Sequence, residues 1–401
     1  MKQLYFNYKD VFRSARLAFS IQRIWLNGLG LLAGYVIFLI FAYVSLLVGG
    51  YGFAAIWNKF GLLPCAFAMT APWYSVLIYI IALIAFLAVI LLTNTAVSRV
   101  IYMTLRDELF YTWTQALKFA WKKWVSSLGA MLTFIFIIAF FVIGALVMAF
   151  IGRIPFIGEI GTALFTIPYI LAALLLLFIC LAFGVALFFV PAILATSDED
   201  ALGGVFQSFS ITFNQPWRIL IYMSLLGVIY VVGFFLFGLA MKLSYHVFIS
   251  LFSIGMGEKM VHIQQQALHV LDRALPAVYS WAHSLPGSLG GMLYLNNPHP
   301  IVASMPGSVV ISGYILGISL MLLAGVVIAY AEAIGNAGLT IIYVILYKLQ
   351  EKESLLERED EELKEEEEEK KQEKPATTEE KKEESTEESG KSSEEEAEKK
   401  E

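Results

Sequence analysis

Few side chains in this sequence could carry chemistry, and Glu332 stands first among them. It is the only acidic residue inside or at the edge of a long apolar stretch, where an ionised group costs about 2.5–3.5 kcal/mol at mid-membrane. A residue so placed is either a structural partner at the headgroup boundary or a proton or cation site. Asn336 follows one helical turn later on the same face, and Asn94 and Arg99 occupy the comparable part of an earlier stretch. These four form a candidate intramembrane polar site, and a Glu332–Arg99 pair is the expected way of neutralising both charges.

The five histidines, His246, His262, His269, His283 and His299, all fall between 242 and 308. Within that region Glu258 to Leu275 reads as an amphipathic helix with Glu258, His262, Gln266, His269 and Arg273 on one polar face. Metal ligands must converge within about 2 Å of the ion. His262 and His269 lie two turns apart, about 10 Å along a helix axis, so they are weak candidates and a solvated face is the expectation. The loop Gly152 to Gly158 lacks the strand-to-helix context of a phosphate cradle. Cys65 in a loop and Cys180 in an apolar run do not suit a disulfide. No serine, histidine and aspartate order, paired carboxylates or cysteine and histidine cluster emerges. The expectation is a non-enzymatic protein with no cofactor and no metal.

The elements that must position these residues are membrane helices. Of 401 residues, 58% are hydrophobic and 15% charged, against about a quarter charged in an ordinary globular domain. A bilayer core needs roughly 20 apolar residues in a helix, and windows at about 26–49, 73–97, 126–150, 163–195, 219–241 and 309–331 qualify. The short alternating segments of a membrane β-barrel are missing. The fold class is therefore all-α, a polytopic bundle of six transmembrane helices. The fourth window is too long for an upright helix and should tilt, or kink near Pro168. The segments after the second and sixth windows, Thr95 to Glu108 and Asn336 to Lys348, keep a helical pattern past the membrane.

Lysine and arginine bias sets the orientation. Five basic residues precede the first window, with no small-residue cleavage site of a removable signal peptide. Five more (Arg99, Arg106, Lys118, Lys122, Lys123) lie in the connection 98–124, and Arg218 alone in 196–218. This puts both termini in the cytoplasm, 242–308 outside, and the protein in the inner membrane.

Three short amphipathic segments each end in a tryptophan, Trp25, Trp124 or Trp217, and run into an apolar stretch that pairs with a second one. The chain thus divides into modules at approximately 1–107, 108–198 and 199–350, each an interfacial helix followed by a hairpin. In the first, Lys9, Arg13, Arg16, Ser20 and Arg23 step by three and four residues into one polar stripe. A basic amphipathic helix with an interfacial tryptophan lies in the headgroup plane. Lys9, Arg13, Arg16, Arg23, Trp25, Lys122, Lys123, Trp124, Trp217 and Arg218 are accordingly the expected lipid-headgroup surface, and membrane lipids, anionic ones included, the expected partners. Ala96-Val-Ser-Arg-Val-Ile-Tyr102 and Ala337-Gly-Leu-Thr-Ile-Ile-Tyr343 match as ends of modules one and three.

The repeated opening helix, aromatic and tryptophan before a membrane hairpin, with the ending Thr340-Ile-Ile-Tyr-Val-Ile-Leu-Tyr-Lys-Leu-Gln350, resembles a diffuse group of prokaryotic multi-pass families. These are related to the membrane domain of glycerophosphodiester phosphodiesterases. The resemblance implies an architecture over most of residues 1–350; the catalytic barrel of those enzymes has no counterpart here, so their activity does not carry over.

Residues 351–401 hold 24 acidic and 11 basic side chains, a net of −13, which leaves a net of +7 on residues 1–350. So polar a segment cannot bury enough apolar surface to offset its ordering entropy. A disordered cytoplasmic tail is expected, suited to a basic protein partner and repelled by nucleic acid. The reading that follows is a lipid-surface or scaffolding protein; the alternative is a transporter or channel for a small or amphipathic solute, with Glu332, Asn336, Asn94 and Arg99 along its path.

Overall fold

The computed structural model describes residues 4–108, 110–278, 280 and 306–358. Every regular element among them is helical: α1 (Tyr8–Val11), α2 (Arg13–Ala18), α3 (Ile21–Val48), α4 (Phe53–Phe60), α5 (Trp73–Leu105), α6 (Trp113–Lys122), α7 (Trp124–Ile151), α8 (Ile157–Leu164), α9 (Thr166–Ser197), α10 (Ala201–Asn214), α11 (Pro216–Met256), α12 (Glu258–Ala274) and α13 (Gly307–Glu351). Six of these, α3, α5, α7, α9, α11 and α13, are long and apolar enough to cross a membrane. The acidic tail lies outside the described residues from 359 onward, as do His283 and His299.

The surface segments start with side-chain caps. Asn7 and Asp10 form a capping box on α1, Thr112 and Gln115 another on α6, and Asp200 accepts from the Gly203 amide at the start of α10. Such caps satisfy free first-turn amides in short helices that gain little from propagation. Each hairpin then packs on itself, α3 on α5, α7 on α9 and α11 on α13. The three returning helices α5, α9 and α13 also meet one another. The side chains buried there run along Thr95–Met103, Phe189–Ser197 and Ala329–Leu346, with few interruptions. The core is therefore the convergence of three C-terminal helix halves.

The surface helices close this core as a ring. α6 of module two packs on α5 of module one, α10 of module three packs on α9 of module two, and α2 of module one packs on α13 of module three. Each interfacial helix lies against the returning helix of the preceding module, and the chain's start completes the circle against its last span. Lys352, in the left-handed region, ends α13 and turns the chain so that Leu355 is buried and its carbonyl accepts from the Tyr102 hydroxyl (2.7 Å).

Several boundaries depart from expectation for identifiable reasons. No kink forms at Pro168 within a single long helix; the chain breaks at Phe165, giving α8 and α9, and Pro168 sits in the first turn of α9. A proline there removes no intrahelical hydrogen bond. The fifth window grows into a helix of 41 residues and the sixth into one of 45, about 60 Å or more at 1.5 Å per residue. Lys242 and His246 lower the hydropathy beyond 241, yet the backbone continues to Met256, where Gly257 (φ 56°) turns it back into α12. α12 then seats Ala267 and Val270 against Gly313 and Gly317, a small-residue ridge on α13.

At the end opposite the interfacial helices, the turn after α4 folds between α3, α5 and α12. Its carbonyls are capped one by one: Gly61 by the Tyr43 hydroxyl, Leu62 by Tyr35 (2.6 Å) and Pro64 by Tyr79 (3.3 Å). The Leu62 amide donates to the Ala274 carbonyl at 2.7 Å. Irregular backbone among membrane helices persists only where side chains satisfy it. Gly61 is needed twice, because its φ is +56° and a Cβ would lie 2.2 Å from the Ala274 carbonyl oxygen. Gly61→Ala is expected to destabilise the fold by about 2 kcal/mol or more, read as a lowered Tm of the detergent-solubilised protein beside an unchanged Gly255→Ala control, where the added Cβ meets nothing within 4 Å.

Candidate functional site

The three elbows between interfacial helix and first span are built on one plan with different chemistry. In module one the expected continuous stripe from Lys9 to Arg23 is broken at Phe12 and again at Ser20, whose extended backbone (φ −140°) starts α3 afresh. The chain must turn from the surface into the bundle there, and a single helix could not. Lys9 and Arg16 remain exposed, while Arg13 is half-buried against Asp10 (3.3 Å). Arg23 is not on the lipid-headgroup surface at all: only 7% exposed, it donates to the Leu17 carbonyl and, at 2.7 Å, to the Thr104 hydroxyl near the end of α5. Among the described residues it has no carboxylate partner.

In module two the elbow residue is Lys123, which joins the carboxylate of Asp198 (2.7 Å) and donates to the Asp198 carbonyl (2.8 Å) at the end of α9. In module three it is Gln215, buried, whose side-chain amide donates to the Leu346 carbonyl near the end of α13 at 3.0 Å. Each elbow thus fastens the start of its hairpin to that hairpin's own returning end. Arginine, lysine and glutamine do this by hydrogen bonds to carbonyl, carboxylate and hydroxyl oxygens, although Nε of Arg23 is buried without a hydrogen-bond partner among the described residues.

Around each elbow the large aromatics point outward. Phe12, Phe19 and Trp25 are exposed in module one, Trp121 and Trp124 in module two, Phe206, Phe213 and Trp217 in module three. Trp121 and Trp124 stack on each other with ring centroids 6.3 Å apart. Lys122 and Arg218 are exposed beside their tryptophans, and Lys118 one turn earlier. Aromatic side chains with adjacent cations, all at one end of a bundle, suit a headgroup boundary.

The candidate polar site divides in two. Asn336 and Asn94 do come together: the Asn336 amide donates to the Asn94 side-chain oxygen at 3.0 Å and to that of Asn27 at 3.1 Å. Asn27 is fully buried and passes its own amide to the Arg23 carbonyl at 3.1 Å. This asparagine cluster ties α3, α5 and α13 at the elbow end. Asn27 was not anticipated from sequence, since nothing local links it to a residue more than three hundred positions away.

Arg99 and Glu332 do not pair. The Arg99 guanidinium, fully buried, donates to the Ala195 carbonyl on α9 (3.0 Å) and lies 4.2 Å over the Phe119 ring of α6. It holds module two to module one. Glu332 is half-buried and accepts from the Tyr230 hydroxyl of α11 at 3.3 Å. The two side chains have different neighbours, Arg99 those of α9 and α6 and Glu332 that of α11.

His262 and His269 lie half-buried along α12, and no group of three potential metal ligands occurs among the described residues. A shallow cavity of about 290 Å³ opens between α11, α12 and α13, lined by Phe248, Phe252, Met260, Ile315, Leu316 and Ser319, and contains none of the candidate polar residues.

The asparagine cluster can be measured directly. Asn27→Leu and Asn336→Leu should each lower stability, and the double-mutant cycle should return a coupling of about 1 kcal/mol, within the range of buried polar pairs between membrane helices. The readout is unfolding of the reconstituted protein, and additive effects would separate the two side chains. Comparison with protein-family models, curated proteins and solved structures returned no match to this chain.

Proposed function

We propose that this integral membrane protein is a non-enzymatic scaffold that works at the lipid surface, with its interfacial helices and both termini on the cytoplasmic side of the inner membrane. The observation that carries the reading is the common end of the bundle at which three fastened elbows present outward aromatics beside exposed Lys9, Arg16, Lys118, Lys122 and Arg218. Positive charge concentrated at a headgroup boundary attracts anionic lipid, and the net of +7 on residues 1–350 agrees with that partner. The three interfacial helices enter from one side, so the repeats are parallel, unlike the inverted repeats common in transporters. The likeness of the elbows to the membrane domain of glycerophosphodiester phosphodiesterases belongs to the same proposal, as a shared architecture without the enzyme. The acidic tail, sequence alone considered, offers itself to a basic protein partner.

A second reading, movement of a small or amphipathic solute, is favoured by one observation: Glu332, an acid among apolar helices, whose hydrogen-bond partner among the described residues is a tyrosine. Proteoliposome flux that is lost in Glu332→Gln would support it, and flux indifferent to that change would count against it.

The lipid reading is tested on the full chain in nanodiscs of zwitterionic lipid containing a minority of phosphatidylglycerol, with lipid retained through gentle extraction quantified by mass spectrometry. Wild type should enrich the anionic lipid. K9Q/R16Q/K118Q/K122Q should lose that enrichment by about tenfold or more, since each cation near an anionic surface contributes about 1 kcal/mol. Equal retention by both proteins overturns the proposal.

A further inference from the structure

Hairpin two differs from its siblings in the half distant from the elbows. In hairpin one that half is buried at Ala42, Ser45, Leu46, Ser75 and Tyr79, and the hydroxyls of Ser45 and Ser75 each donate to the other's carbonyl at 2.7 Å. In hairpin three, Tyr245 and Ile249 of α11 and Val309, Gly313 and Gly317 of α13 are buried, with α12 laid against them. These two hairpins are also clasped to each other there by the Leu62 amide on the Ala274 carbonyl and by Gly61 beneath it. At the elbow end the asparagine cluster binds the same two modules again.

Hairpin two has neither device. The last buried residue of α7 is Phe134 and the first of α9 is Ile179. Beyond them every residue from Val142 to Ile151 and from Ile170 to Leu175 is exposed, on all faces of both helices. Two helices packed side by side would bury a stripe of each, so these two stretches do not pack along each other; the close contact of this half is at its tip, where buried Gly158 of α8 lies against the Gly152 and Ile151 carbonyls. The side-chain hydrogen bonds of Thr162 and Thr166 at this far end stay between neighbouring turns of α8 and α9.

From these observations we infer that hairpin two is a movable arm. It is anchored at the elbow end by Arg99 on Ala195 and by α10 of module three packed on α7 and α9, and free to swing at the opposite end against the clasped pair of hairpins one and three. The swing opens and closes a lateral, apolar cleft toward lipid. The inference uses packing alone and stands whether or not the anionic-lipid reading holds.

Spin-label distance measurements on the full chain in nanodiscs test it, in a C65S/C180A background with labels placed at exposed positions. One pair, I81C/L174C, reports the arm against hairpin one; a second, K59C/D272C, reports the clasp. The arm pair is expected to show a distance distribution at least twice as broad as the clasp pair. An arm pair as narrow as the clasp pair, or a clasp pair as broad as the arm pair, overturns the inference.

Discussion

Everything in this fold depends on satisfying polar groups where no water competes for them. An unpaired donor or acceptor among apolar helices costs several kcal/mol, so the few polar residues of the bundle are arranged by who can reach whom. Arg23, Lys123 and Gln215 occupy equivalent elbows, and each spends its side chain on the end of its own returning helix. Those three fastenings set where each hairpin starts and stops. They also set the level at which the interfacial helices lie, because each helix runs directly into its elbow. The outward tryptophans follow from this geometry: with the polar side of the elbow turned inward, the aromatic side has only the boundary left to occupy.

The same constraint explains why the modules are related without being equivalent. A guanidinium with no carboxylate among the described residues, an ammonium joined to Asp198 and a neutral amide all perform the closure. Closure, rather than charge, is the common requirement of the elbow. The cations that could recognise lipid are mostly others: Lys9, Arg16, Lys118 and Lys122 are exposed, while exposed Arg218 also donates to the Gln215 side-chain oxygen at 3.2 Å. In module one structural and lipid-directed charge are thus separated onto different residues, although in sequence they lie on one apparent stripe.

The sequence was legible where apolar length decides the outcome. Six spans and the continuation of α5 and α13 past the apolar windows follow from the length of the apolar runs. Legibility failed where a turn interrupts a pattern. The spacing from Lys9 to Arg23 suits one helix, but the change of direction at Ser20 moves Arg23 into the interior. It failed again where partners are remote: Asn94 and Asn336 were within reach of a repeat argument, whereas Asn27 needed the packing of α3 on α13. Sequence gives the helix phase of Glu332 and Arg99 but not the inter-helix geometry that sends one to Tyr230 and the other to the Ala195 carbonyl.

That division between legible and illegible bears on mechanism. Asn94, Asn336 and Arg99 spend their hydrogen-bonding groups on protein partners that join helices, so their polarity is a fastening before it is a path. A solute route built from them would have to break the contacts that hold module two and module three to module one. Glu332 is exempt, since its contact with Tyr230 is a single long hydrogen bond within hairpin three and holds no module to another. Under the proposed solute reading, Glu332 is therefore the group to follow, and a carboxylate whose hydrogen-bond partner among the described residues is one tyrosine suits proton exchange better than cation coordination, which needs several oxygens around the ion.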